Sequence, residues 1–377
     1  MEPPILGVLG DRVDRSATWS GSPAGLVGAL RDLGAQVVTV DAHLPRLAAA
    51  GCRAWLRTTS RPSKMWERTP EAMRAREAWG RHRSRKAGVV DGWVQVGSEM
   101  GAPLPGGTFV TFDDMTVHQA RCLPNPYFAR IDERSFAGWD KTQRRVLQTA
   151  QAACVASRWA ACSVVNDYGI RPDRVAVVGL GANLELEPRP RNWEEPRFLF
   201  VGLDWERKNG PAVLEAFARL RSELGACRLD VVGDHPRLDQ PGVYPHGRLS
   251  QQRADQRAEL ADLFTAATCL VVPSSSEPFG IVYLEAASAG VASIGTTIGG
   301  AAEPIGDAGM LVDPADPLAL LTALRLMADP ETARSRGEAA HRRSRWFTWK
   351  RVAARTARAL GILLTDEPEP YLTELSE

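Results

Sequence analysis

Short apolar runs alternate with amphipathic stretches along most of the chain. Ile5–Leu9 is an apolar run that predicts a strand, and VVTV at 37–40 predicts the next. Between them Ser22 and Pro23 form a cap followed by a first-turn proline, so a helix is expected from there to about Leu33, ended by Gly34. Strand, helix and strand in such close succession are the signature of a βαβ unit. Further strands are predicted at 89–96, 108–112, 152–156 and 175–178, with helices over 141–151 and 158–168. Residues 53–86 break this rhythm with many arginines, with Trp55, Trp66 and Trp79, and with Glu67, Glu71 and Glu77 interspersed. Their composition favours helix. The segment 183–196 is rich in proline and charge, has no apolar period and is taken as a linker. The alternation then restarts. Strands are expected at 197–201, 228–232, 243–245, 269–272 and 291–294, and helices over 210–221, 254–266, 280–289, 317–328 and 348–362. Both halves therefore predict an α/β fold with parallel sheets. The acidic tail 366–377 is expected to be loosely held.

Composition narrows the function classes. The 377 residues carry 46 Lys plus Arg against 45 Asp plus Glu. That balance argues against a dedicated nucleic-acid binder. Only five lysines occur, so each one draws notice. The six cysteines form no C-x-x-C pair and mostly sit in apolar runs, which predicts buried thiols in a reducing compartment and no zinc site. No apolar stretch is long enough to span a membrane, and the start lacks the features of a signal peptide. A cytoplasmic protein is expected.

The sharpest local signal is PSSSEPFGIVYLEAASAG at 273–290. A predicted strand ends at Val272, a loop of small residues follows, and a helix begins near Phe279 or Gly280. Ligands of open α/β sheets sit beyond the carboxyl ends of the strands. A helix start there offers free N–H groups and a positive dipole end, a natural seat for phosphate. Glu277 in the loop and Glu285 in the helix can each accept hydroxyl hydrogen bonds from a ribose or a sugar. The alternative is that Glu277 is a first-turn dipole partner and Glu285 a solvated helix residue. Arg207 and Lys208 stand together after another strand end, where cations can neutralise a diphosphate leaving group. The alternative there is a solvated basic loop. Gly233 and Asp234 in VVGDH, and Gly247, Arg248 and Leu249 in HGRLS, are candidates to line a nucleotide base, with His235 and His246 either lining it or structural. In the first half, Ser20–Gly21–Ser22 can present backbone N–H groups. Asp113, Asp114, Thr116 and His118 cluster at a strand end, either as a site or as the cap of a helix over 115–121. There is no P-loop, and G-x-S-x-G is absent. VVGLGAN at 177–183 lacks the third glycine of a dinucleotide fingerprint.

The pattern S-x-x-E-P-F-G-x-x-x-x-E-A-x-A-x-G from Ser274 to Gly290 resembles the family-4 group of glycosyltransferases with the GT-B fold. With it go F-V-G-x-x-x-x-R-K at 200–208, V-V-G-D at 231–234 and S-R-W-F-T-W at 344–349. The resemblance covers roughly the second half of the chain and is much weaker in the first. It implies two Rossmann-like parallel-sheet domains facing each other across a cleft. They would be an acceptor-side domain 1–184 and a nucleotide-sugar-binding domain 185–345, with a C-terminal helix 346–365 crossing back to the first. It implies retaining, metal-independent hexosyl transfer from a nucleotide diphosphate sugar, with no cofactor and the base left open among UDP, GDP and dTDP. By the resemblance, Arg207 and Lys208 contact the diphosphate, Glu277 the donor sugar and Glu285 the ribose. The Phe279–Gly280–Ile281–Val282 backbone meets the phosphates or sugar. Gly233, Asp234 and Gly247–Arg248–Leu249 surround the base. Ser20–Gly21 approach the donor, and His118 lies near the sugar. Asp113, Asp114 and Thr116 are acceptor-side candidates, for a small-molecule, saccharide or lipid-linked acceptor. Leu203 stands where many members have arginine. The rival expectations are another GT-B enzyme of epimerase or phosphorylase type, and a non-catalytic nucleotide-sugar-binding protein. Residues 53–86 either pack inward or meet acceptor, partner or a membrane surface peripherally.

Overall fold

The structure is a computed structural model that describes residues 2–13, 18–58, 65–98, 101 and 107–364. The acidic tail 366–377 and part of the Arg/Trp-rich region lie outside the described residues. The chain divides into two compact units, Met1–Gly181 with Trp349–Glu377, and Ala182–Thr348.

The first unit is built on one parallel sheet. Its strands are β1 (Ile5–Gly10), β2 (Gln36–Asp41), β3 (Gly92–Val96), β4 (Phe109–Asp113), β5 (Ala152–Val155) and β6 (Val175–Val177), in spatial order β2-β1-β3-β4-β5-β6. The central strands are buried along their whole length, which is why they read as continuous apolar runs. The connecting helices are α1 (Ser22–Asp32), α2 (Arg46–Thr58), α3 (Pro70–Arg85), α4 (Val117–Cys122), α5 (Glu133–Thr149) and α6 (Arg158–Asn166). Gly21 is the N-cap of α1, so Ser22 stands one position later than expected and its hydroxyl donates back to Trp19 O at 2.8 Å. Gly34 ends α1 as predicted, with its N–H on the Arg31 carbonyl. The helix expected over 141–151 is the last part of α5, which starts earlier because Asp132 caps it by accepting from Ser135 N–H.

The second unit repeats the plan with β7 (Arg197–Val201), β8 (Arg228–Val232), β9 (Val243–Gly247), β10 (Cys269–Val271), β11 (Ala292–Thr296) and β12 (Met310–Val312). Their spatial order is β12-β11-β10-β7-β8-β9, all parallel. Its helices are α7 (Gly210–Leu224), α8 (Ala254–Ala266), α9 (Ile281–Ser288), α10 (Ala302–Ile305), α11 (Pro317–Met327) and α12 (Pro330–Ser344). The elements the sequence did not announce are β12, α10 and α12. The first two are very short, and α12 (PETARSRGEAAHRRS) buries only Ala333, Gly337 and Ala340, too little apolar surface to show a stripe.

The expected linker is not a free tether. Arg191 donates to the carbonyls of Ala267 and Ala289, at the ends of α8 and α9, and stacks on Trp193. Burial lowers its pKa to about 10. Leu186 N–H donates to Ser288 Oγ at 3.1 Å. A guanidinium at two helix C-termini meets their orphan carbonyls and dipole ends.

The last helix, α13 (Trp349–Ala359), belongs to the first unit and packs on α1. Trp349 fills space left by Gly25 and Gly181, where an added Cβ would lie about 2.4–2.5 Å from it. Gly181 of VVGLGAN thus serves packing. Arg355 donates to Val178 O at 2.8 Å, and Gln151 to Ala359 O at 2.8 Å.

Candidate functional site

In the second unit the strand order runs outward from β7 in one direction and from β10 in the other. The chain's crossovers therefore diverge between these two neighbours, which makes their carboxyl ends a topological switch point, the place where open α/β sheets bind ligands. The loops leaving the two strands are 202–209 and 272–280. They carry Arg207, Lys208 and Glu277, 69 and 70 positions apart in sequence and adjacent in space.

The two loops are laced together through their backbones. Ser275 N–H donates to Arg207 O at 2.8 Å, and Arg207 Nη1 donates to Ser276 O at 2.8 Å. Lys208 Nζ donates to Glu277 Oε2, and Ser274 Oγ donates to the same oxygen at 3.1 Å. Both members of the pair are largely buried, with side-chain exposures of 11% and 8%. Burial pulls the Lys208 pKa below its ordinary value, and the Glu277 carboxylate offsets only part of that. Burial pushes the Glu277 carboxyl up, but Lys208 and Arg207 outweigh it and hold it below its ordinary value. Lys208 and Arg207 thus favour the ionised form of Glu277, and Arg207 also faces Asp204 at 3.5 Å. The Glu277 strand continues as a parallel bridge to Gly299, and its carbonyl accepts from Gly300 N–H at 2.9 Å. Ser274, the first residue of the motif, supports Glu277 directly, and the Gly299–Gly300 pair is a support the sequence did not single out.

The helix expected near Phe279 or Gly280 starts at Ile281, with Gly280 as its left-handed N-cap at φ 93°. An added Cβ there would lie 2.3 Å from the Tyr283 ring, so the turn needs glycine twice over. Phe279 is buried and meets Phe347 edge-on at 6.1 Å, which gives the F-T-W run at 347–349 a structural task. Glu285 lies inside α9, 5% exposed. It is not the solvated helix residue that was the alternative. Its carboxyl accepts from Gln251 Nε2 at 3.0 Å, and burial raises its pKa to about 7.

Gly233 sits where β8 ends, at φ 132°, and a Cβ would be 1.7 Å from Gly202 O. Its N–H donates to Gly247 O at 2.9 Å, so the ends of β7, β8 and β9 close on one another. Gly233, Asp234, Gly247 and Arg248 line an open pocket of about 590 Å³ with Trp205 and His235. Arg248 faces Asp234 at 3.8 Å. Leu249 is half-buried and packs on the core, and Leu203 is exposed. His235 packs edge-on against Trp205. His246 lies against buried Asp230 at 2.8 Å and Glu259 at 3.2 Å, a structural commitment.

In the first unit the order β2-β1-β3 puts the switch point at β1 and β3. Trp19, Ser20 and Gly21 follow β1 with φ of 47°, 54° and 89°, three left-handed residues in succession leading into α1. The polar cluster after β4 divides differently from expectation. Asp113 Oδ1 accepts from Ser98 N–H and Oγ at 3.0 and 2.9 Å. The cap of α4 is Thr116, in a reciprocal capping box with Gln119, and not the aspartate pair. Asp114 is half-buried beside it. His118 points its Nε2 towards Asp167 at 3.8 Å and Cys122 at 3.9 Å and is half exposed. Cys122 and Cys162 are exposed, against the expectation of buried thiols, whereas Cys154, Cys227 and Cys269 are buried. Among the described residues no three His, Cys, Asp or Glu are grouped to hold a metal ion, and no helix is long and apolar enough to cross a membrane.

Residues 195–329 match the glycosyl transferases group 1 family. Over 280 residues the chain is 28% identical to the MMP alpha-(1->4)-mannosyltransferase of Mycolicibacterium hassiacum, covering 70% of this chain and 66% of that protein. Over 277 residues it is 30% identical to the D-inositol 3-phosphate glycosyltransferase of Thermobispora bispora, covering 61% and 62%. The alignments thus span just under two thirds of each of these curated relatives. The solved structure of a sucrose-phosphate synthase from Thermosynechococcus elongatus superposes with a TM-score of 0.65 at 19% identity, covering 94% of this chain and 98% of that one. The fold is that of the GT-B glycosyltransferases. The matched domain contains the motif at 274–290, and the chain is similar to these glycosyltransferases in that domain and in its fold.

Proposed function

We propose that the protein is a retaining glycosyltransferase that moves a hexose from a nucleoside diphosphate sugar to an acceptor hydroxyl. The observation that carries this is the buried Lys208–Glu277 pair at the β7/β10 switch point, with Arg207 beside it and the α9 N-terminus next to it. A diphosphate is the ligand that fits two adjacent cations and a helix start. Glu277 would hold donor-sugar hydroxyls, and Glu285 the ribose diol. Gly233, Asp234 and the Gly247–Leu249 turn would surround the base.

In the reaction the anomeric carbon–phosphate oxygen bond breaks as a bond forms from the acceptor oxygen on the same face. The acceptor's proton passes to the departing phosphate. Charge grows on the diphosphate in the transition state, and Arg207, Lys208 and the helix end lower the barrier by neutralising it there. No acidic or histidine nucleophile is needed, and the proposal does not use His118. One of these relatives is named for D-inositol 3-phosphate, so small phosphorylated molecules head the acceptor screen.

The test is release of nucleoside diphosphate from UDP-, GDP- and dTDP-sugars in the presence of an acceptor panel that also includes saccharides and lipid-linked acceptors. Lys208→Ala and Glu285→Ala are expected to lower turnover at least a hundredfold, on the scale of removing a transition-state donor. Unchanged rates in both variants, or tight nucleotide-sugar binding without turnover across the panel, would overturn the assignment.

A further inference from the structure

The Glu285 carboxyl is met by a side chain from another element: Gln251 Nε2 lies 3.0 Å from its Oε1. Gln251 belongs to the segment that leaves β9, directly after the Gly247–Leu249 turn. That segment is anchored at its other end, where Ser250 N–H donates to Gln256 Oε1 at 2.9 Å. Gln251 thus reaches from the turn across to α9.

A carboxylate offers about four acceptor positions. Gln251 uses one of them and leaves enough for both hydroxyls of a vicinal diol. A protonated carboxyl has fewer acceptor positions and cannot serve both hydroxyls. We propose, resting on the nucleotide-sugar reading above, that Gln251 is a positioning residue for the donor: it orients the Glu285 carboxyl for the ribose hydroxyls and favours its ionised form, and so couples ribose recognition to the turn that meets the base. The donated hydrogen bond opposes the protonation that burial favours at Glu285. The other charged group acting on Glu285 is Arg257 of α8, which also favours the ionised form. His341 of α12 is committed to the Ser288 carbonyl at 3.0 Å, Glu303 stands on α10, and β11 carries no titratable side chain.

The test uses the full chain and calorimetric titration with UDP and GDP and with their 2′,3′-dideoxy forms, from below to above neutral pH. The wild type is expected to favour whichever ribonucleotide it binds over the dideoxy form by about tenfold or more, the worth of hydrogen bonds to a charged acceptor. The wild-type preference is expected to fade as pH falls below about 7, and Gln251→Ala moves that loss to higher pH, so the variant lacks most of the preference at neutrality and regains it only at more alkaline pH. Its dideoxy affinity stays unchanged. A variant that keeps the wild-type preference and pH midpoint overturns the proposal. So does one that weakens both ligand forms equally at every pH, since that marks Gln251 as a loop support only. A wild type that binds neither ligand form strikes the nucleotide-sugar reading itself. Unfolding curves of the variant confirm that its fold is intact.

Discussion

Removing Lys208 tests the centre of the site through stability alone, without knowledge of any substrate. Lys208→Met keeps the aliphatic stem and deletes the ammonium. Glu277 then remains buried with Ser274 and loses its direct ionic partner. Breaking a buried pair from one side costs about 3–5 kcal/mol, because the remaining charge stays desolvated. For a unit of this size that is a fall of about 6–20 °C in the melting temperature of the second unit. The double variant Lys208→Met/Glu277→Gln removes both charges and leaves a neutral amide, a change that is often near neutral. It is expected to recover more than half of the lost stability. Urea unfolding followed by tryptophan fluorescence suits the measurement, since Trp205 packs against Phe200 at the same strand end. High salt should change the difference little, because a buried pair is weakly screened. Equal destabilisation in single and double variants, or none in the single, would refute the argument that the pair is buried and coupled. The double variant should remain inactive, since stability and charge neutralisation are separate tasks of the same two residues.

Glu285 predicts a pH slope. Its folded pKa, about 7, lies above its ordinary value of 4.5, so the folded state binds more protons than the unfolded state between those values. Stability then falls as pH rises through that window. Glu285→Gln should flatten that fall, seen as matched unfolding free energies at its two ends. Thiol labelling gives a second check. Cys122 and Cys162 should alkylate in the native protein, whereas Cys154 and Cys269 should react only after unfolding, burial having raised both thiols well above their ordinary pKa. Mass spectrometry of labelled peptides reads this directly.

Alternating apolar runs and helix punctuation were enough to read two parallel-sheet halves, because a strand buried on both faces is apolar throughout and its crossover helix is not. β10 is an example of the first, and the Gly34 stop of α1 of the second. The motif at 274–290 was legible for the same local reason: loop, glycine cap and helix start are contiguous. What the sequence hid were facts of proximity. Nothing in the order of residues says that β10 pairs with β7, yet that pairing alone sets Lys208 against Glu277. Equally, Asp113 and Thr116 read as one polar cluster along the chain, and only the fold shows their separate partners, Ser98 and Gln119. The run at 183–196 looked like a tether, but Arg191 and Leu186 bind it to the second unit. Only the tertiary structure decided the burial of Glu285 and its contact with Gln251, 34 positions away. Local pattern fixes which residues turn, cap and alternate. The desolvation and charge pairing that give a carboxylate or an ammonium its chemistry arise only when distant strands come to lie side by side.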